Sequence, residues 1–118
     1  WVEIAAPGGY RIRTVITHHS LTRLGLKPGA LVGAEVKAPW VTVHRSPNEP
    51  ECSADNVLAG TVERIAAGRV ASEVVARLAD GTEICAVVTA PSLKRLGLRP
   101  GDRVWVAFSA FTVVLHAD

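Results

Sequence analysis

Thr17-His-His-Ser20-Leu-Thr-Arg-Leu-Gly-Leu-Lys-Pro-Gly29 returns 72 positions later as Thr89-Ala-Pro-Ser92-Leu-Lys-Arg-Leu-Gly-Leu-Arg-Pro-Gly101. The match runs on downstream, Val32 with Val104, Ala38 with Ala110, Val41 with Val113 and His44 with His116. Upstream it joins Gly9 to Gly81, Ile12 to Ile84 and Ile16 to Val88. Self-similarity at a fixed period marks a repeated structural unit. The second copy opens at Ser53, in Ser53-Ala-Asp-Asn-Val-Leu-Ala-Gly-Thr61, and the same offset puts the start of the first copy 20 residues ahead of Trp1. The first copy is therefore expected without its opening strand. The chain begins inside an apolar alternation and holds no Met, so it is expected to be a piece of a longer protein. The expected division is a first unit over 1–46, a linker over 47–52 and a second unit over 53–118; Pro47, Pro50 and their polar neighbours mark the linker.

Each copy reads as a small β-unit. Val70, Ser72, Val74, Ala76 and Leu78 alternate with Ala71, Glu73, Val75 and Arg77, the period of a strand. Asp80-Gly81 is a hairpin turn signal, after which Ile84, Ala86 and Val88 share one face. In the first copy Ile12, Thr14 and Ile16 oppose Arg11, Arg13 and Val15. Leu58 to Ile65, Val104 to Phe108 and Thr112 to His116 supply further strands, and each Thr-x-x-Ser segment starts a helical turn closed by Gly. The expected fold is all-β: tandem, OB-like, five-stranded small barrels, each with one short helical turn.

Composition narrows the function. Apolar residues make up 48% and charged residues 20%, which suits a globular chain, and the net charge of +2 is too mild for a nucleic-acid-binding face. No apolar run reaches the roughly 20 residues of a membrane span, so no membrane partner is expected. Cys52 and Cys85 are the only cysteines, which fits free thiols in a reducing cytoplasm better than a disulfide framework or a zinc site. There is no nucleophile–base pair, carboxylate pair or Gly-rich phosphate loop, so no enzyme is expected.

The candidate residues lie at the strand-to-helix junctions. Thr17 and Ser20, like Thr89 and Ser92, suit N-capping of a short helix. The same hydroxyls, with unpaired backbone N–H groups, also suit a tetrahedral oxyanion. His18 and His19 point apart as neighbours, so no metal site is expected of them, and their backbone amides are the candidate donors. Lys37, beside Ala38, is either an exposed strand-end lysine or the cation that neutralises the anion. Ser109 stands at the equivalent place in the second copy, which makes the first copy the better site. His44 and His116 read as structural. Trp1, Trp40 and Trp105 suit either an interface or the core.

The repeated Thr-x-x-Ser-x-x-Arg-Leu-Gly-Leu-x-Pro-Gly block resembles the Mop/TOBE (molbindin) family, and Ser53-Ala-Asp-Asn-Val-Leu-Ala-Gly-Thr61 and Lys37-Ala-Pro-Trp-Val41 resemble it as well. The likeness is nearest to the C-terminal di-Mop region of molybdate-dependent transcriptional regulators (ModE type). It implies molybdate or tungstate as ligand, no organic cofactor, and a site formed in a homodimer. The family's Thr and Ser map onto Thr17 and Ser20, and its Lys onto Lys37 with Ala38 beside it. Its remaining ligands map ahead of Trp1. In the second copy Ser53, Thr89 and Ser92 are weaker candidates, because Asp55 stands where the family has Arg, and a carboxylate repels a dianion. DNA contact would belong to an upstream domain outside this chain. The resemblance leaves a cytoplasmic molybdate storage protein as the alternative. An accessory domain of a transporter ATPase and an oligonucleotide-binding barrel rank below both.

Overall fold

A computed structural model describes residues 1–117. The first copy contains β1 (Val2–Ala5), β2 (Arg11–Thr14), α1 (His18–Arg23), β3 (Val32–Val36), a 3-10 turn (Ala38–Trp40) and β4 (Thr42–His44). The second contains β5 (Asn56–Ala66), β6 (Ala71–Arg77), β7 (Glu83–Thr89), α2 (Ala90–Leu96), β8 (Arg103–Phe108), a 3-10 turn (Ala110–Thr112) and β9 (Val113–Ala117). The expected all-β, OB-like architecture is the observed one. Two boundaries differ from expectation. Val70 stands outside β6 and is exposed, and Thr112 ends a 3-10 turn, so the last strand starts one residue later than expected.

The alternation in β6 produces its burial. Ser72, Val74 and Ala76 face inward at 1% exposure or less, while Ala71, Glu73 and Arg77 face solvent. Val75, on the outward face, is buried too, outside the main core cluster. Asp80-Gly81 closes the β6–β7 connection with Gly81 at φ 90°, a conformation that costs glycine nothing. Thr82 N–H donates to the Asp80 carboxylate at 3.0 Å, which holds that carboxyl below the usual range. A bulge between Val62 and Arg64 bends β5. There the Val62 amide donates to the Asp102 carbonyl and its carbonyl accepts from Gly101, both at 2.8 Å.

The two copies exchange their last strands. The larger sheet is antiparallel with order β4-β8-β5-β6-β7, so β4 of the first copy forms one edge of the second copy's sheet. Reciprocally, β9 of the second copy pairs with β3 of the first. The 3-10 turns redirect the chain from one copy to the other, and they bring Val41 and Val113, equivalent in the repeat, into one core with Val62, Val74, Val106 and Phe108. Polar bonds seal the junction. The Asn56 side chain accepts from the Arg13 amide at 2.7 Å and donates to the Arg13 carbonyl at 3.0 Å. Thr14, fully buried, donates to the Val113 carbonyl at 3.0 Å. Residues 47–52 form no helix or strand. Just ahead of them Arg45 donates to the Leu96 carbonyl at the end of α2, and Ser46 accepts from the Trp105 indole.

Candidate anion site

Both Thr-x-x-Ser segments are N-caps. Thr17 is extended (φ −76°, ψ 156°), and its hydroxyl oxygen accepts from the Ser20 amide at 3.1 Å. Thr89 repeats this with the Ser92 amide at 3.2 Å. Each Thr hydroxyl also donates to its Ser hydroxyl, at 3.1 Å and 2.9 Å. Capping therefore uses the acceptor side of Thr and leaves the Ser20 O–H proton available to a ligand.

The two copies differ in which donors remain open. In α1 the first two residues are His18 and His19, both exposed, and neither amide donates a hydrogen bond among the described residues. In α2 the Ala90 amide donates to the Val70 carbonyl at 2.8 Å, and Pro91 has no N–H. The Ser92 hydroxyl is further engaged by Arg95 at 3.1 Å.

The 3-10 turns repeat the contrast. Lys37 precedes the first, exposed and in no ion pair among the described residues, and the Ala38 amide after it has no acceptor among them. At the second turn the Asp55 carboxylate accepts from the Ala110 amide at 2.9 Å, and Ser109 caps Phe111 at 3.1 Å. The backbone donors and the cation separate the copies: they are open in the first, while in the second the Ala90 and Ala110 amides are taken, Pro91 has no N–H and Ser109 stands in place of a lysine; the Thr hydroxyl is spent on its Ser in both. Pro91 opposite His19 was a signal for this in the sequence that pattern reading passed over. The role of Asp55 needed the structure: it occupies a backbone donor as well as adding negative charge.

Within one chain each 3-10 turn packs on a strand of the other copy. The turn that carries Ala38 packs on β7, and the turn that carries Ala110 packs on β2, which leads into Thr17. No hydrogen bond or ion pair joins Lys37 to Thr17 or Ser20 among the described residues. The strand exchange is the reason, since each turn rides with its last strand into the other copy. Ser53 is exposed at the approach to β5, and Thr89 is exposed as well.

Several other ionisable groups form surface ion pairs. Arg11 holds Glu3 below the usual carboxylate range, and Arg64 does the same to Glu83 while its own guanidinium is held up. Burial pushes the Cys85 thiol up, away from the reactive thiolate. Cys52 and Cys85 are free, and no cluster of three or more His, Cys, Asp or Glu side chains suited to a metal occurs among the described residues. Among the described residues no helix is long and apolar enough to cross a membrane.

Comparison with known proteins agrees with this architecture. The TOBE domain matches residues 52–115. The molybdenum-pterin-binding protein MopA of Rhodobacter capsulatus is 37% identical over 97% of the chain, and the transcriptional regulator ModE of Yersinia pestis is 37% identical over 95% of it. The chain spans less than half the length of these curated relatives, 43% and 42%. Among solved structures, the cytoplasmic molybdate-binding protein ModG, determined with molybdate bound, superposes with a TM-score of 0.93 at 38% identity, over 98% of this chain and 82% of its own. The repeated β-unit, its capped helical turns and these likenesses agree, and the chain belongs to the TOBE domain family.

Proposed function

We propose that the chain binds molybdate, or tungstate, through Thr17, His18, His19, Ser20, Lys37 and Ala38 of the first copy. The contrast between open donors in the first copy and spent donors in the second carries this reading. A tetrahedral dianion suits two free helix amides, a hydroxyl, the Ala38 amide and one ammonium. Because the turn that follows Lys37 packs on the second copy's β7, a homodimer that sets one chain's turn against the other's α1 completes the set. The molybdate bound by the similar protein ModG supports the ligand. On this reading the chain is the cytoplasmic effector domain of a transcriptional regulator whose DNA contacts belong to an upstream domain. The ligand acts by binding one dimer arrangement better than another. It needs no organic cofactor and performs no catalysis.

Calorimetric titration with molybdate beside sulfate tests the proposal. The expected result is tight molybdate binding at one oxyanion per chain, with little heat from sulfate. Lys37→Ala should weaken binding by about 2 kcal/mol, the scale of a lost charged hydrogen-bond partner. Unchanged affinity would remove Lys37 from the site. The alternative, a storage protein, draws on the likeness to ModG, and two oxyanions per chain would favour it, because storage needs both copies open.

A further inference from the structure

The outer face of the larger sheet carries a row of side chains that the fold does not require. Arg77 on β6 and Arg103 on β8 both pair directly with Thr61 on β5, so a threonine lies between two arginines on three adjacent strands. Directly paired residues point to the same side of a sheet, and all three are exposed. Two positions along β8, on the same face, Trp105 pairs with Ala59. The repeat is an internal control. Val104, buried between Arg103 and Trp105, has Val32 as its counterpart, whereas Arg77, Arg103 and Trp105 stand where the first copy has Ala5, Leu31 and Gly33.

These side chains and Ser46 line one open cavity of about 400 Å³, within the roughly 300–1,000 Å³ of small-molecule sites. Its donors are largely unspent. The Arg103 guanidinium and the Thr61 hydroxyl make no hydrogen bond or ion pair among the described residues. Arg77 meets Glu63 through Nε at 2.9 Å, which leaves its terminal N–H groups. Asp102, the acid next to Arg103, accepts from the Arg99 amide at 2.9 Å. The half-buried Trp105 indole donates to the Ser46 carbonyl at 3.1 Å, so the ring is a fixed wall, and Ala59 opposite is too small to cover it.

A guanidinium is a planar fork that matches phosphate oxygens. Two of them flanking a hydroxyl suit a phosphate monoester, whose charge they balance. An immobilised indole beside them suits a planar ring, since base–aromatic stacking needs only a flat face. We infer that this sheet face is a second ligand site, separate from the candidate oxyanion residues, for a phosphate monoester joined to a planar base: a nucleoside monophosphate. Arg77 and Arg103 hold the phosphate over Thr61, and Trp105 carries the base. Molybdate offers the same charge but nothing for the indole, so the two sites separate by ligand as well as by place.

NMR titration of this chain with adenosine monophosphate, inorganic phosphate and adenosine tests the inference. The monophosphate should shift the Trp105 indole N–H and the Thr61 and Arg103 amides together, and saturably. Phosphate should move Thr61 and Arg103 without Trp105, and both phosphate and adenosine should bind at least about 10-fold more weakly than the monophosphate. Arg103→Ala breaks no bond of the fold and should weaken the monophosphate by about 10- to 100-fold, the scale of a lost charged hydrogen bond. The same variant should leave molybdate binding unchanged, so this test stands apart from that of the oxyanion site. The inference fails if the monophosphate moves no resonance of this face, if its shifts spread over every exposed arginine, or if Arg103→Ala binds it as tightly. It also fails if a short single-stranded oligonucleotide binds at least about 10-fold more tightly than the monophosphate, which would make the face a nucleic-acid surface.

Discussion

At the scale of single residues, Asn56 links the two copies most directly. It is 1% exposed, and its amide satisfies both the N–H and the C=O of Arg13. A buried polar group deprived of its partner costs about 1–3 kcal/mol. Asn56→Ala should therefore lower unfolding stability by about that much, because two backbone groups lose their partner at once. Denaturant melts check this, and a loss within error would mean that water replaces the side chain at no cost. Arg13 has a second link, since its guanidinium donates to the Asp55 carbonyl at 3.2 Å. The head of β5 is thus held to β2 by backbone-directed bonds.

At the scale of elements, the two short helices are near-copies with different surfaces. Both are capped by Thr and followed by glycine near their C-termini, Gly25 and Gly97, at φ 65° and 61°. Proline is tolerated in the first turn of a helix, where its N–H would have no intrahelical partner, and Pro91 occupies that place in α2. His19→Pro should therefore leave α1 folded while deleting one candidate donor. The expected outcome is unchanged circular dichroism and melting, with molybdate affinity reduced by about 1.5–3 kcal/mol for a lost bond to a charged partner. Unchanged affinity by calorimetry would exclude the His19 amide from the site.

At the scale of the whole molecule, the exchange of last strands makes the two repeats depend on each other. β4 enters the larger sheet from the first copy, and Val41 beside it is 2% exposed in the shared core. Residues 53–118 expressed alone should melt at a lower temperature than the whole chain, and adding residues 1–46 in trans should recover part of the difference. Thermal unfolding with a size measurement checks this. If 53–118 matched the intact chain, the exchanged strand would contribute no stability. The arrangement also bears on the candidate residues, because the turn that follows Lys37 packs on β7 of the second copy.

Several parts of this protein were legible in its residues. The 72-residue repeat, the period-two burial of Ser72, Val74 and Ala76, the hairpin at Asp80-Gly81 and the Thr caps all follow from local chemistry, where side-chain size and hydrogen-bonding type act on near neighbours. The family followed from the same blocks. The candidate donors could be named, but their state could not: nothing local shows that the Ala110 amide is taken by Asp55 or the Ala90 amide by Val70. Partner choice for the last strands was also out of reach. Val41 and Val113 sit in matching patterns that either sheet would bury equally well, so local preference is the same for a strand kept and a strand exchanged. Only the three-dimensional path of the 3-10 turns chooses between them, and with that choice the tertiary structure decides which copy's turn faces which helix.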